Sequence, residues 1–172
     1  MRTLIIDSRP EMEAIIKACR TCWLGVCDAG IPYVVPMNFA LDGDSVILHS
    51  GKDGRLPETL RRNPTVCINW TLGDTVTWQD KLVGCSYRVQ SKSVIVEGIL
   101  QEVTDFDEKE RLLHVIMAQY SPHSFTFAVP SVNNVAVYRV PIATISARDF
   151  GVRPPYPASA PSPLAIKKGG TL

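Results

Sequence analysis

The chain has 172 residues, of which 45% are hydrophobic and 20% charged, and its formal net charge is +1. These values are those of an ordinary globular protein with one well-buried core, and the length is too short for two comfortable domains. The balanced charge, without a basic face interleaved with aromatic residues, argues against a nucleic-acid partner. No stretch is long enough for a membrane-spanning helix, and the first apolar run is too short for a signal peptide, so we expect a cytoplasmic protein.

The cysteines support the same location. Their number, five, is odd, which argues against a complete disulfide framework and favours a reducing compartment. Cys19 and Cys22 have the C-x-x-C spacing of redox or zinc sites, and Cys27 lies nearby. However, no second C-x-x-C and no spaced histidine pair completes a four-ligand set. We therefore predict free thiols and no metal site.

The first third of the chain predicts one helix followed by strands. Ser8 is placed to cap a helix whose apolar residues, from Met12 to Cys19, recur at helical spacing. Residues 23–27 and 31–41 read as the two strands of a hairpin, joined by a turn at 28–30. Pro32 and Pro36 fit an edge strand better than a fully paired central one. A further apolar strand is predicted at residues 45–50.

The remainder of the chain continues the strand-rich pattern. Residues 66–70 predict a strand, 71–84 a loop, 85–103 a long β-rich segment and 134–147 a last strand. Asp105 is placed to cap the clearest helix, which extends to Tyr120. Short turns joining successive strands predict a mainly β protein, a small antiparallel barrel with peripheral helices. We assign residues 1–151 to this domain and 152–172 to a proline-rich tail, either disordered or laid across a partner subunit.

One turn between a strand and a helix carries a candidate anion site. The strand at 45–50 ends in His49 and Ser50, and the chain then breaks at Gly51 and Gly54 before a short helix that stops at Asn63-Pro64. Backbone N–H groups at such a helix start point outward and can hold a phosphate, to which Lys52 and Arg55 add positive charge. A solvated turn with ordinary surface charges is the equally open alternative.

Seven segments, in order, resemble the pyridoxamine 5′-phosphate oxidase-related flavoproteins, and within them the nitroimidazole-resistance (Nim-type) proteins. The segments are LGV at 24–26, PYVVPMNF at 32–39, LHS at 48–50, GR at 54–55, LRRNPxVC at 60–67, SxSVxVxG at 91–98 and EK at 108–109. The resemblance runs from about residue 12 to residue 150, which makes it more specific than any single short motif. It implies an antiparallel six-stranded split barrel that binds FMN at the interface of a homodimer.

The resemblance also implies which residues meet the cofactor. Pro36, Met37 and Asn38 would line the isoalloxazine ring, with His49 and Ser50 beside the flavin at the strand end. Lys52 and Arg55 would meet the phosphate. Ser93 would be a further flavin-side contact, and Trp70 would pack near the cofactor or, equally, serve as a plain core tryptophan.

The chain departs from the family pattern at two positions. Leu56 stands where many relatives carry a lysine directly after the Gly-Arg pair, so one phosphate cation is lost. Each charge-assisted contact is typically worth about 1.5–3 kcal/mol, so this loss would weaken FMN binding unless Lys52 substitutes. Lys92 replaces the arginine that usually precedes the Ser-Val pair, which keeps the charge but loses bidentate geometry.

These features favour an FMN-dependent oxidoreductase that takes electrons from a nicotinamide donor and passes them to a small electrophile, conceivably a nitroaromatic. A flavin carries its own redox chemistry, which explains why no catalytic triad or carboxylate pair stands out. His49 is the preferred substrate-side proton donor or hydrogen-bonding group, against the alternative that it only satisfies local backbone groups.

Pyridoxamine phosphate oxidation is disfavoured, because basic residues for a second phosphate are not found. A carrier or sensor of flavin or haem stays open, with His49, His114, His123 or a cysteine as haem ligand, as does a barrel whose cofactor site has decayed.

Overall fold

A computed structural model describes residues 2–152 of the chain. Within that range the backbone forms ten strands and four helices, joined mostly by short turns. The strands are β1 (Arg2–Ile6), β2 (Cys22–Asp28), β3 (Ile31–Met37), β4 (Phe39–Asp42), β5 (Ser45–Gly51), β6 (Thr65–Thr77), β7 (Arg88–Ile99), β8 (Gln101–Val103), β9 (Val135–Pro141) and β10 (Thr144–Val152). The helices are α1 (Arg9–Ala18), α2 (Arg55–Arg62), α3 (Phe106–Tyr120) and α4 (Val129–Asn133).

The strands form two antiparallel sheets around a shared core. One sheet has six strands in the order β1-β10-β7-β6-β2-β3, and the other has four in the order β4-β5-β9-β8. Leu24, Ile68 and Val96 from the first sheet pack with Leu48 and Val140 from the second, because alternate side chains of each strand point to this common interior. The structure therefore confirms the predicted mainly β, antiparallel split barrel with a six-stranded sheet and peripheral helices.

Two helices start where their capping residues predict. The Ser8 hydroxyl accepts a hydrogen bond from the Glu11 N–H, and the Asp105 carboxylate accepts one from the Glu108 N–H. α1 packs its apolar face into the shared core, and α3 covers the other face of the four-stranded sheet. No helix among residues 2–152 is long and apolar enough to cross a membrane.

The predicted single strand at 31–41 is wrong. β3 ends at Met37 as the edge strand of the six-stranded sheet, and β4 begins at Phe39 as the edge strand of the four-stranded sheet. The apolar run is continuous because both strands face the same core, so the pattern does not reveal the change of sheet. The edge position predicted from Pro32 and Pro36 is confirmed, since an edge strand needs fewer ladder N–H groups.

Three other strand predictions need correction for related reasons. Residues 134–147 form two strands, β9 and β10, which belong to different sheets. The segment 85–103 breaks at Leu100, whose N–H donates to the Pro64 carbonyl. The predicted loop at 71–84 begins as a continuation of β6 to Thr77, because a register shift between Leu72 and Thr75, with Gly73 at φ +88°, interrupts the alternation without ending the strand.

Two elements were not predicted from the sequence. β1 pairs with β10, and its few residues carry no period long enough to be recognised. α4 is a short helix of five residues, with Pro130 in its first turn. The predicted tail at 152–172 lies outside the described residues, apart from the end of β10 at Val152.

Candidate functional site

The turn after β5 leads through glycines to the start of a helix. Gly54 adopts φ +107°, a conformation that favours glycine, and α2 begins at the next residue. Among residues 2–152, no side chain caps the start of this helix. Its first N–H groups therefore stay available to an external acceptor, and the helix dipole favours negative charge at this end.

The side chains around this turn are basic and largely exposed. Arg61 donates through Nη2 to the Lys52 carbonyl over 2.7 Å, which fixes the turn against the far end of α2. Lys52 and Arg55, the two cations that the sequence analysis assigns to a phosphate, are both exposed. Arg55 donates to Asp28 over 3.0 Å, and its guanidinium carbon lies 4.1 Å from the centre of the Tyr33 ring. Asp28 and Tyr33 belong to the β2–β3 hairpin. Their contacts with Arg55 were not predicted, because the sequence does not show that this hairpin lies against the turn after β5.

Ser50 is held in a chain of hydroxyl hydrogen bonds. Its Oγ donates to the Gly51 carbonyl over 2.7 Å and lies 3.2 Å from the hydroxyl of Tyr138. Since the Ser50 hydroxyl has one proton, already donated to Gly51, Tyr138 must be the donor in the second bond. Tyr138 is buried, and burial raises the pKa of its phenol. A tyrosine within an apolar strand gave no sequence signal of this contact.

His49 and Ser50 point to opposite faces of β5. Ile47 packs beneath α3, and side chains alternate along a strand, so His49 shares the α3 face whereas Ser50 faces Tyr138 and the shared core. His49 Nδ1 is buried and has no hydrogen-bond partner among residues 2–152. Burial lowers the pKa of the imidazole, which favours its neutral form. The structure thus separates two side chains that the sequence analysis grouped together.

The predicted ring-lining segment is the crossing between the two sheets. Pro36 and Asn38 are exposed and Met37 is buried, with its carbonyl accepting from the Cys22 thiol over 3.5 Å. The crossing is also fixed at Phe39, whose N–H donates to the Tyr120 hydroxyl over 2.9 Å. Phe39 pairs with Leu48, so the antiparallel register places Asn38 beside His49 at this end of β4 and β5.

Trp70 lies in the core behind this crossing, and Ser93 lies in the middle of the six-stranded sheet. Trp70 is fully buried and packs edge-to-face on Phe39, with 5.3 Å between ring centres, which agrees with the alternative of a core tryptophan. Ser93 is half-buried and pairs with Thr71 and with Arg148 in the middle of the six-stranded sheet. Its side chain faces outward, since the neighbouring Val94 points into the core.

The two departures from the family pattern have structural explanations. Leu56 is buried: its side chain packs into the shared core and so points away from the turn after β5. Lys92 donates to Glu11 of α1 over 2.7 Å and lies 3.7 Å from Asp149, and both carboxylates raise the pKa of its ammonium group. Lys92 therefore links α1 to the six-stranded sheet, and its ammonium group does not belong to the turn after β5.

The cysteines behave as free thiols, as the sequence predicts. All five are unpaired, and Cys19 and Cys22 are buried. Burial raises the pKa of both thiols, that of Cys22 to about 12, so neither is a ready thiolate. Among the described residues, no three His, Cys, Asp or Glu side chains are grouped as metal ligands would be.

The outer face of the six-stranded sheet is exposed and carries many large apolar side chains, and we call it the open face. By register, the same side of the sheet displays seven large exposed hydrophobic side chains. They are Ile5, Trp23, Val34, Val76, Val89, Ile95 and Ile99. A hollow of about 490 Å³ lies in this face, where Gly25 leaves space between Val34, Cys67 and Glu97. An apolar surface of this extent is typical of an interaction site.

Comparison with known proteins identifies the family. The family model described as pyridoxamine 5′-phosphate oxidase matches residues 8–149. The chain belongs to this family. Of the solved structures, a candidate 5-nitroimidazole antibiotic resistance protein from Bacteroides thetaiotaomicron is 36% identical with a TM-score of 0.79, over 86% of this chain and 87% of that one. No curated protein matches the sequence.

Two more distant solved structures share the fold of this chain. A flavocytochrome from Azotobacter vinelandii has a TM-score of 0.75 at 19% identity, over 98% of this chain and 89% of its own. A protein from Mycobacterium smegmatis described as binding FAD and haem has a TM-score of 0.78 at 13% identity, over 98% and 93%. At these identities the likeness concerns the fold alone, and those cofactors are properties of the two neighbours.

Proposed function

We propose that this member of the pyridoxamine 5′-phosphate oxidase family binds FMN and works as an oxidoreductase between a nicotinamide donor and a small electrophile. The observation that carries the proposal is the uncapped start of α2, which follows the glycine turn and lies among Lys52 and Arg55. Backbone N–H groups and cations together suit the dianionic phosphate of a flavin mononucleotide. Bound flavin would supply the hydride and electron chemistry.

The residues near the end of β5 fit the remainder of the cofactor. We assign the isoalloxazine ring to the exposed crossing at Pro36 and Asn38, with the backbone of Met37, beside His49. The buried and partnerless Nδ1 of His49 supports this assignment, because a buried polar atom without a partner costs free energy until a ligand supplies one. Since burial lowers the pKa of the imidazole and favours its neutral form, we assign it the role of giving or accepting a hydrogen bond there. Ser50 would support the turn through its bonds to Gly51 and Tyr138.

A homodimer with the flavin at its interface completes the proposal. The open face supports it, since burial against a second copy would remove its exposed apolar side chains from water. Ser93 and Pro36 both lie on this face, Pro36 through its pairing with Trp23, so a twin would bring its own residues close to them. The resistance name of the Bacteroides relative favours a nitro compound as the electrophile. The cytoplasmic location stays a prediction from the free cysteines.

The visible absorption spectrum of the purified protein, recorded with and without added FMN, tests the proposal. We expect a bound-flavin spectrum that the variant Arg55→Ala largely loses, with a matched control, Arg20→Ala, an exposed arginine outside the site, that keeps it. Flavin-loaded protein should then oxidise NADH or NADPH when a nitroaromatic or quinone is present. A protein that takes up no FMN would refute the proposal, and a Soret band would assign it to the haem-binding alternative that two structural neighbours represent.

A further inference from the structure

The guanidinium group of Arg55 is held on two sides by the β2–β3 hairpin. Its Nε donates to Asp28 Oδ2 over 3.0 Å, and its plane lies over the ring of Tyr33, with 4.1 Å from the guanidinium carbon to the ring centre. Among residues 2–152, Arg55 donates side-chain hydrogen bonds through Nε alone. Both terminal nitrogens of the fork therefore stay available, at the first position of α2.

The groups that hold Arg55 are themselves fixed. Asp28 is the last residue of β2 and also accepts from Arg62 Nη2 over 2.8 Å, so each of its oxygens has an arginine. Both hydrogen bonds lower the pKa of the carboxyl group, which keeps it charged. Tyr33 is fixed by its strand pairing with Val26, and the far end of α2 is tied to β2 where the Asn63 side chain donates to the Cys27 carbonyl over 3.2 Å.

We propose that Asp28 and Tyr33 are positioning residues of the phosphate site, which orient Arg55 so that its two terminal nitrogens bind the phosphate together. This inference rests on the proposed function. A free arginine side chain loses considerable rotational freedom when it binds an anion, and a guanidinium already fixed at its Nε edge and over one face has lost that freedom before binding. The gain is specific to the phosphate, because two parallel N–H donors match two phosphate oxygens.

The same contact also has an opposing effect. The carboxylate of Asp28 reduces the positive charge that attracts the phosphate, and if charge decided the affinity, removing Asp28 would strengthen binding. Arg55 and Arg62 are both more than half exposed, so water screens these charges and long-range attraction counts for little. Removing the carboxylate releases the Nε edge of the guanidinium, which then has only its contact with the Tyr33 ring to orient it among residues 2–152. We therefore expect orientation to decide the outcome.

The test compares FMN with riboflavin, the same ring system without the phosphate. Dissociation constants for both are measured by flavin fluorescence on wild-type protein, Asp28→Ala, Arg55→Ala and the double variant. We expect Asp28→Ala to raise the dissociation constant for FMN about tenfold and to leave that for riboflavin unchanged. In the Arg55→Ala background the second substitution should have no further effect, since Asp28 acts through Arg55.

A second pair of variants keeps the test decisive if Asp28→Ala does not fold. Tyr33→Leu removes the ring beneath the guanidinium, and Tyr33→Phe retains it, so only the leucine variant should weaken FMN binding selectively. Tighter FMN binding by Asp28→Ala, equal weakening of both flavins, or no change in either would each overturn the inference. Wild-type protein that binds no flavin would instead refute the proposed function, which separates the two failures.

Discussion

The two sheets of this barrel differ in how their outer faces are covered. The four-stranded sheet is covered by its own chain on both faces: Val46 and Leu48 point into the shared core, and Ile47 between them packs under α3. The six-stranded sheet buries one face only. On its open face, positions where a solvated sheet would carry polar side chains hold Trp23, Ile95 and similar residues.

This difference separates the sheet that is covered by its own chain from the sheet that leaves one face exposed. The strands of a sheet that is covered on both faces have continuous apolar sequences. The strands of a sheet with one solvated face alternate apolar and polar residues. The outward positions of the six-stranded sheet hold large apolar side chains such as Trp23, Ile95 and Ile99 beside polar ones such as Ser93 and Glu97. The open face therefore exposes more apolar surface than a fully solvated sheet face would, and nothing in residues 2–152 covers it.

The largest expected effect comes from the covered sheet. Leu112 of α3 is 0% exposed, and Leu112→Ala should lower the free energy of unfolding by about 2–5 kcal/mol, through lost burial and the cavity left behind. The same substitution at Leu82, which is 95% exposed, should change it by less than about 0.5 kcal/mol. Urea denaturation of the flavin-free protein measures both. Similar losses for the two variants would contradict the assignment of α3 as a cover of the core.

The second effect concerns assembly. Ile95→Lys places a charge in the centre of the open face, and we expect wild-type protein to sediment as two chains and this variant as one, since an unpaired charge is costly to bury at an interface. The matched control is Val129→Lys, an equally drastic change at an exposed position at the start of α4. Analytical ultracentrifugation distinguishes the two masses. Single-chain wild-type protein would show that the open face serves another purpose.

The smallest expected effect is a loss of stability at acid pH that depends on His49 in the four-stranded sheet. Burial lowers the pKa of this imidazole below its ordinary value of 6.5, so the unfolded chain binds a proton before the folded chain does. Stability should therefore fall as the pH drops below about 6.5, and His49→Gln should reduce that fall. Thermal unfolding between about pH 7 and about pH 5 measures it, with His123→Gln as an exposed control. Identical profiles for wild type and His49→Gln would contradict burial as the cause.

The helix starts were predictable because they depend on residues that are close together in the sequence. Ser8 and Asp105 cap their helices as predicted, and Gly54 introduces α2, because caps and turns depend on residues a few positions apart. Strand partners were less predictable. The change of sheet at Asn38 and the two strands within 134–147 depend on pairing across long stretches of chain, and burial in a common core makes both runs equally apolar.

The candidate site shows the same division. The glycine turn with the exposed cations Lys52 and Arg55 followed from glycine spacing and charge, and the family followed from motifs in order. By contrast, Asp28, Tyr33 and Tyr138 were not found, since their contacts with Arg55 and Ser50 join distant parts of the chain. Alternation along β5 already places His49 and Ser50 on opposite faces, but only the packing of Ile47 beneath α3 shows which face each side chain takes.

The sequence by itself determined the mainly β class, the helix starts, the free thiols and the place of the glycine turn, because each depends on composition or on neighbouring residues. Only the tertiary structure decided which strand joins which sheet, which cations are already paired, and which apolar face stays open. The physical reason is that burial is a property of the folded surface: Ile47 and Ile95 are both isoleucines within strands, and only the fold covers one and exposes the other.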